Sequence, residues 1–448
     1  MNAGYWCEHA LVDGAVEPSV RITVDAGRFH SVQVGAAPSA GDHRLAGVTV
    51  PGLANAHSHA FHRSLRSRTQ RHGGTFWTWR ELMYAAAERL DPDRYLRLAR
   101  ATFAEMAMAG ISCVGEFHYL HHRPDGRPYD DPNVMAAALV EAASAAGLRI
   151  TLLDTLYLHG GLDADGHRAP SGAQRRFTDG SVAAWIDRVD GIDSTIGTGV
   201  ARLGAGIHSV RAVDPAAMRE VATWARGRDL PVHAHVSEQV EENERCLAAY
   251  GVTPVSVLRE AGLLDVRFTA VHATHLTPDD IRALEGLVVC MCPTTERDLG
   301  DGVGPTARLV DAGVDLSLGS DSHAIIDLFE EARAVELDER LRSGRRGVHP
   351  AASLLAAATV AGHRCLGWDD AGSIQVGRRA DLVTVSTSTP RLAGTGERAL
   401  LEAVVFSAVA ADVTDVLIDG RPVVADGRHL AVDVSAELDD IIPELMGD

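Results

Sequence analysis

Val48-Thr49-Val50-Pro51-Gly52-Leu53-Ala54-Asn55-Ala56-His57-Ser58-His59 is an apolar run that ends in a polar turn carrying two histidines. Short apolar runs bounded by turn residues read as buried strands. Val48–Ala54 is therefore expected to be a strand that delivers His57 and His59 at its end. The same unit recurs downstream. Apolar segments at Ser112–Glu116, Arg149–Thr155, Leu203–His208, Pro231–Val236, Phe268–His272, Leu287–Met291 and Asp315–Gly319 follow in order. Helical patterns separate them, such as Tyr95–Ala109, Val134–Ala146, Pro215–Arg226, Pro278–Leu284 and Ile326–Leu341. Eight β/α alternations in series predict an α/β fold, a parallel (β/α)8 TIM-type barrel.

Outside that series the pattern changes. Arg21-Ile22-Thr23-Val24 and Ser31-Val32-Gln33-Val34 alternate as antiparallel strands do, and Val413–Val424 turns at Asp419-Gly420, a hairpin signal. The expected organisation is a barrel over residues 49–370, with 1–48 and 371–448 combining into a small β-sandwich domain. Gly160–Arg176 is rich in Gly, Asp and Pro without periodicity and is expected to be a long loop, a lid over a site.

Composition narrows the chemistry. The 448-residue chain has a formal net charge of −19, which excludes nucleic acid and an anionic membrane as natural partners. The same charge means that an anionic substrate must be held by local cations. All 42 basic residues are arginine. Without lysine there is no Schiff base, no pyridoxal-phosphate anchor and no Walker-type phosphate loop. Six cysteines are scattered at 7, 113, 246, 290, 292 and 365 with no C-x-x-C pair, so neither a disulfide framework nor a zinc knuckle is indicated. No apolar run reaches the length of a membrane span. The start Met1–His9 lacks the basic and apolar regions of a signal peptide, so a cytoplasmic protein is expected.

Polar residues gather just past the predicted strand ends, where barrel enzymes place their sites. Strand one is followed by His57-Ser58-His59, strand five carries His233-Ala234-His235-Val236-Ser237-Glu238, strand six ends at His272, and Gly319-Ser320-Asp321-Ser322-His323 follows strand eight. Imidazoles and a carboxylate from different strands of one barrel can hold a divalent metal with a position open to water. An H-x-H pair occurs by chance among 21 histidines, and His233 or His323 can equally be packing residues. The ordered series H-x-H, H-x-x-E, H and S-D at successive strand ends is much harder to obtain by accident.

Pro51–His59 resembles the first-strand signature of the amidohydrolase superfamily, and the likeness runs through the closing stretch Gly372–Leu382. Within it, His57-Ser58-His59-Ala60-Phe61-His62-Arg63, Phe76-Trp77-Thr78-Trp79-Arg80-Glu81-Leu82-Met83-Tyr84 and Gly115-Glu116-Phe117-His118-Tyr119-Leu120-His121-His122 resemble the formimidoylglutamate deiminases. The resemblance implies one zinc ion per chain held by His57, His59, His235 and Asp321, with Glu238, His272 and Asp321 catalytic. It implies substrate contacts from His62, Arg80, Tyr119, His208 and Arg211, with Arg80 reaching across the interface of a homodimer. At position 62 this chain has His where the family pattern has Gln. The implied reaction converts N-formimino-L-glutamate to N-formyl-L-glutamate and ammonia, in histidine degradation. Glu238 would act as general acid and Asp321 or His272 would take the proton of water. Binuclear relatives bridge two metals through a carboxylated lysine or a carboxylate after strand four. Here that strand runs into His208-Ser209-Val210-Arg211, which favours one metal. The competing expectation is a deaminase of an aromatic ring, of guanine, cytosine or triazine type.

Overall fold

The computed structural model describes residues 3–70, 76–192 and 199–447, with the side chains of Phe76 and Trp77 outside the described set. Eight parallel strands form the barrel: Leu53–Ser58, Ile111–His118, Arg149–Leu156, Ala201–Ile207, Val232–Val236, Phe268–His272, Val288–Met291 and Asp315–Leu318. Each pairs with its sequence neighbour. The barrel closes at a single parallel bridge between Ser58 and Asp321. Crossover helices such as Pro92–Met108, Val134–Ala145, Pro215–Arg226 and Leu328–Ser343 cover the outside. Asp91, Asp214 and Asp327 each cap the helix that follows through a side-chain oxygen, which satisfies backbone N–H groups that have no partner inside a helix.

The expected first strand, Val48–Ala54, is two strands. His43–Pro51 belongs to the small sheet and Leu53–Ser58 to the barrel. Pro51 has no N–H to donate. A Cβ on Gly52 would lie 2.4 Å from Ser112 Oγ and 2.6 Å from Asp381 Cβ. The chain therefore changes sheets at a residue that must be glycine.

The terminal segments form one eight-stranded sheet, which includes Ala3–Val12, Ala15–Asp25 and Arg28–Gln33 from the front and Leu382–Val385, Val413–Ile418 and Arg421–Ala425 from the back. It has its own apolar cluster, with Cys7, Ile22, Phe29, Leu45, Leu382 and Leu417 among its members. Barrel and sheet are tied by a buried ion pair. Arg149, at the start of the third barrel strand, donates to both oxygens of Asp381, and its guanidinium lies over the Trp368 ring at 5.2 Å. The Gly160–Arg176 segment is more ordered than its composition suggests. It contains a hairpin of Gly161–Asp163 with Gly166–Arg168, then a short helix Gly172–Arg176 capped by Ser171 and Gln174.

Candidate active site

The seam that closes the barrel is also where the polar residues meet. His59 N–H donates to the Asp321 carbonyl at 3.1 Å and Asp321 N–H to the His57 carbonyl at 3.0 Å. Asn55 fastens the same seam with both ends of its amide: Nδ2 donates to Ser320 Oγ (2.7 Å), and Oδ1 accepts from Ser320 N–H (2.9 Å). Between the two histidines, Ser58 Oγ donates to Glu116 Oε2 (2.6 Å), while Ala60 N–H donates to Glu116 Oε1 (2.7 Å). Asn55 and Glu116 thus fix the turn that aims His57 and His59. Their lone signal in the sequence is a polar residue inside an apolar strand.

His57, His59, His235 and Asp321 converge. His57 Nε2 lies 3.1 Å from the Nε2 atoms of both His59 and His235, and Asp321 Oδ1 lies 3.3 Å from those of His57 and His59. Such spacings match the edges, about 3.3 Å, of a tetrahedron with metal–ligand bonds of 2.0–2.1 Å. His59 Nδ1 donates to the Phe117 carbonyl (3.0 Å) and His235 Nδ1 to the His208 carbonyl (2.8 Å). Their Nε2 atoms are therefore lone pairs turned toward the centre of the cluster, the orientation a metal ligand needs. Burial lowers the pKa of His57 to about 3 and that of His235 well below its usual value. Burial would raise Asp321, but the imidazoles of His57 and His59 beside it outweigh that and hold the carboxyl well below the usual range. The donor set is three imidazoles and a carboxylate, ligand types that suit a divalent metal.

A pocket opens above this cluster. His59, His235 and Asp321 form its floor, while His62, Arg80, Tyr119, His208, Arg211, Glu238 and His272 line it. Every residue expected at the site from sequence is here except His57, which is fully buried beneath. Arg80 lines the pocket of the chain that carries it. Its Nε donates to Tyr84 Oη and its guanidinium lies over that ring at 5.1 Å. Tyr119 Oη is 3.1 Å from His62 Nε2. Glu238 lies between two side chains, with Oε2 3.2 Å from an Arg211 terminal nitrogen and Oε1 3.9 Å from His272 Nε2. His272 Nδ1 in turn faces Glu296 Oε1 at 3.4 Å, and Cys292 N–H donates to that same oxygen at 2.9 Å. Trp79, Met83, Tyr84, Tyr157, Phe177 and Leu299 complete the walls and were not singled out by strand-end reasoning, since they come from helices and loops.

Backbone conformation aims several of these groups. Ser237, His272, Ala273 and Asp321 all have φ between +41° and +68°. Non-glycine residues take that region at a cost, and such strain gathers where a surrounding structure enforces a functional geometry. The two other candidate histidines are packing residues. His233 Nε2 lies 3.2 Å from the Cys365 carbonyl, and His323 sits between Ser320 Oγ (3.0 Å) and Ser58 Oγ (3.2 Å).

His118, His121 and Asp154 form a second buried group with metal-ligand chemistry. Here a cation is already present. Arg188 donates to both Asp154 oxygens at 2.8 and 2.9 Å, and Trp185 Nε1 adds a third bond at 2.9 Å. Burial would raise Asp154, but Arg188 outweighs it and lowers its pKa to about 2. A depressed carboxyl contributes stability at neutral pH that is lost as pH falls through the folded value. Removing one partner of such a pair leaves a buried charge, so Arg188→Met is expected to lower unfolding free energy by about 3–5 kcal/mol. Urea denaturation checks this, and a loss under about 1 kcal/mol would contradict the pairing.

With the geometry in place, comparison with known proteins is informative. A model of the amidohydrolase family matches residues 48–423, and the chain belongs to that family. A formimidoylglutamate deiminase of Pseudomonas aeruginosa is 38% identical over 445 residues, 96% of each chain. A 5-methylthioadenosine/S-adenosylhomocysteine deaminase of Moorella thermoacetica is 29% identical, covering 86% of this chain and 84% of its own. The crystal structure of an amidohydrolase from Brucella melitensis has a TM-score of 0.90 and 32% identity, covering 99% of this chain and all of that one. The chain is an amidohydrolase-type enzyme that hydrolyses carbon–nitrogen bonds. Among the described residues no helix is long and apolar enough to cross a membrane.

Proposed function

We propose that this enzyme hydrolyses N-formimino-L-glutamate to N-formyl-L-glutamate and ammonia, a step of histidine degradation. The observation that carries the reading is a single pocket joining two arginines, Arg80 and Arg211, to the His57–His59–His235–Asp321 cluster. A protein of net charge −19 can hold a dicarboxylate only through such local cations. The 38% identity to the Pseudomonas aeruginosa formimidoylglutamate deiminase supports the same substrate.

His57, His59, His235 and Asp321 would hold one zinc ion per chain, a choice supported by their donor types and tetrahedral spacing. When bound, the ion supplies Lewis acidity and acidifies water in the pocket. Arg211 and Arg80 take the two carboxylates, while His62, Tyr119 and His208 flank the formimino end. Asp321 or His272 accepts the proton of the attacking water. That proton and, as the C–N bond breaks, the hydroxyl proton of the adduct pass through Glu238 to the formimino nitrogen, so that ammonia leaves as a neutral molecule. We assign this chemistry to residues 49–370, supported by 1–48 and 371–448, in a cytoplasmic homodimer.

The test is ammonia release from formiminoglutamate beside guanine, cytosine, a triazine and 5-methylthioadenosine. Turnover of the first alone is expected. Ring deamination is the second reading, because Trp79, Tyr84, Tyr157 and Phe177 could stack on a heterocycle. Turnover of a ring with formiminoglutamate ignored would replace the first reading by the second. Charge-assisted hydrogen bonds contribute roughly 1.5–3 kcal/mol each. Arg211→Gln and Arg80→Gln are therefore each expected to cut kcat/KM for formiminoglutamate by roughly ten- to a hundredfold with metal content unchanged. Full efficiency in both variants would remove them from substrate recognition.

A further inference from the structure

Glu242 lies behind the substrate cation and has no part in the chemistry above. It sits in the first turn of the helix Val240–Tyr250, and its side chain is fully buried. A buried carboxylate is costly unless its partners compensate it. One partner is backbone: Glu242 Oε1 accepts the Ser237 N–H at 3.2 Å. The other is Arg211, whose Nε lies 3.5 Å from Glu242 Oε2. Both contacts lead to the site. Ser237 stands between His235 and Glu238 and is held at φ +51°. Arg211 reaches Glu238 with a terminal nitrogen at 3.2 Å. One guanidinium thus spans two carboxylates, one lining the pocket and one buried behind it. The ion pair at the Nε edge favours the orientation in which the terminal nitrogens face the pocket. Such a favoured orientation is what makes recognition of a carboxylate geometric as well as electrostatic.

We propose that Glu242 is a positioning residue: it pins Arg211 for a substrate carboxylate and braces the Ser237 turn that presents Glu238. The role rests on the carboxylate-binding reading of Arg211 given above. Glu242→Gln separates the two contacts, because its amide oxygen still accepts from Ser237 while the charge facing Arg211 is gone. The expected result is a KM for formiminoglutamate raised about tenfold with kcat within about threefold of wild type. Glu242→Ala removes the Ser237 acceptor too and should lower kcat about tenfold as well. In a double-variant cycle, Arg211→Gln/Glu242→Gln should be no worse than Arg211→Gln alone, because both changes remove one interaction.

A second readout needs no substrate. Without the neighbouring charge, the guanidinium loses its positively charged form more readily. Phenylglyoxal should then label Arg211 about threefold faster or more in Glu242→Gln, read by peptide mass spectrometry. Additive losses in the cycle, or an unchanged labelling rate, overturn the role. A lowered melting temperature with KM unchanged also overturns it, since that marks a purely structural residue. A wild-type enzyme inactive on formiminoglutamate whose Arg211 labelling still responds to Glu242→Gln would sink the substrate reading and leave the positioning role standing.

Discussion

Purified protein is expected to carry close to one zinc-like ion per chain, and His57→Ala or His235→Ala should reduce that to near zero. Both imidazoles point Nε2 into the same cluster at 3.1 Å separation, so either truncation removes a corner of a four-donor set. Lowering the pKa of water from 15.7 to about 7 makes hydroxide available at neutral pH by many orders of magnitude. Deaminase activity should accordingly fall at least about a thousandfold in either variant. His118→Ala serves as the control. It changes the second histidine cluster, whose carboxylate already neutralises Arg188, and should leave metal content unchanged. Elemental analysis decides the matter. Two tightly held ions per chain, or metal loss in His118→Ala with retention in His57→Ala, would overturn the single-site assignment.

The second large effect is expected at Glu238. Glu238→Gln should keep its metal, because the carboxylate stands outside the four-donor cluster, yet lose roughly a hundredfold or more in kcat. Glutamine preserves volume and can still accept from Arg211, whose terminal nitrogen is 3.2 Å from Glu238 Oε2. What it cannot do is give an acidic proton to the leaving nitrogen. An amine expelled unprotonated is a poor leaving group, so the loss should fall on kcat and largely spare KM. A variant turning over near the wild-type rate would remove Glu238 from the mechanism.

Much of this was legible in one dimension, for definable reasons. Barrel strands are buried on both faces, so they appear as short apolar runs regardless of their neighbours. Phe268–His272 and Pro215–Arg226 coincide with the observed strand and helix to the residue. Where the sequence misled, a tertiary contact was responsible. Val48–Ala54 reads as one strand because its apolar run is continuous, yet Gly52 is pressed against Ser112 and Asp381 and the chain changes sheets there. Gly160–Arg176 reads as an unstructured loop, yet it holds a short hairpin.

Read in one dimension, the chain already specifies the barrel, the order of polar groups along its strand ends and the absence of any lysine chemistry. Those properties depend on local periodicity and residue type, which neighbours in the chain reveal. Which of the strand-end histidines share a centre depends on packing in three dimensions. His233 and His235 are two residues apart on one strand. Alternation puts both on the same face of the strand, and it is their different heights along the barrel that bring the first to Cys365 and the second to within 3.1 Å of His57. The partners of Arg211 were equally out of reach of sequence. Glu238 and Glu242 lie 27 and 31 positions further along the chain, and one turn of helix after a left-handed Ser237 sets them around the same guanidinium. Long-range pairs of this kind are set by the pairing of neighbouring strands, here the fourth and fifth, because that pairing fixes the distance between side chains carried past their ends.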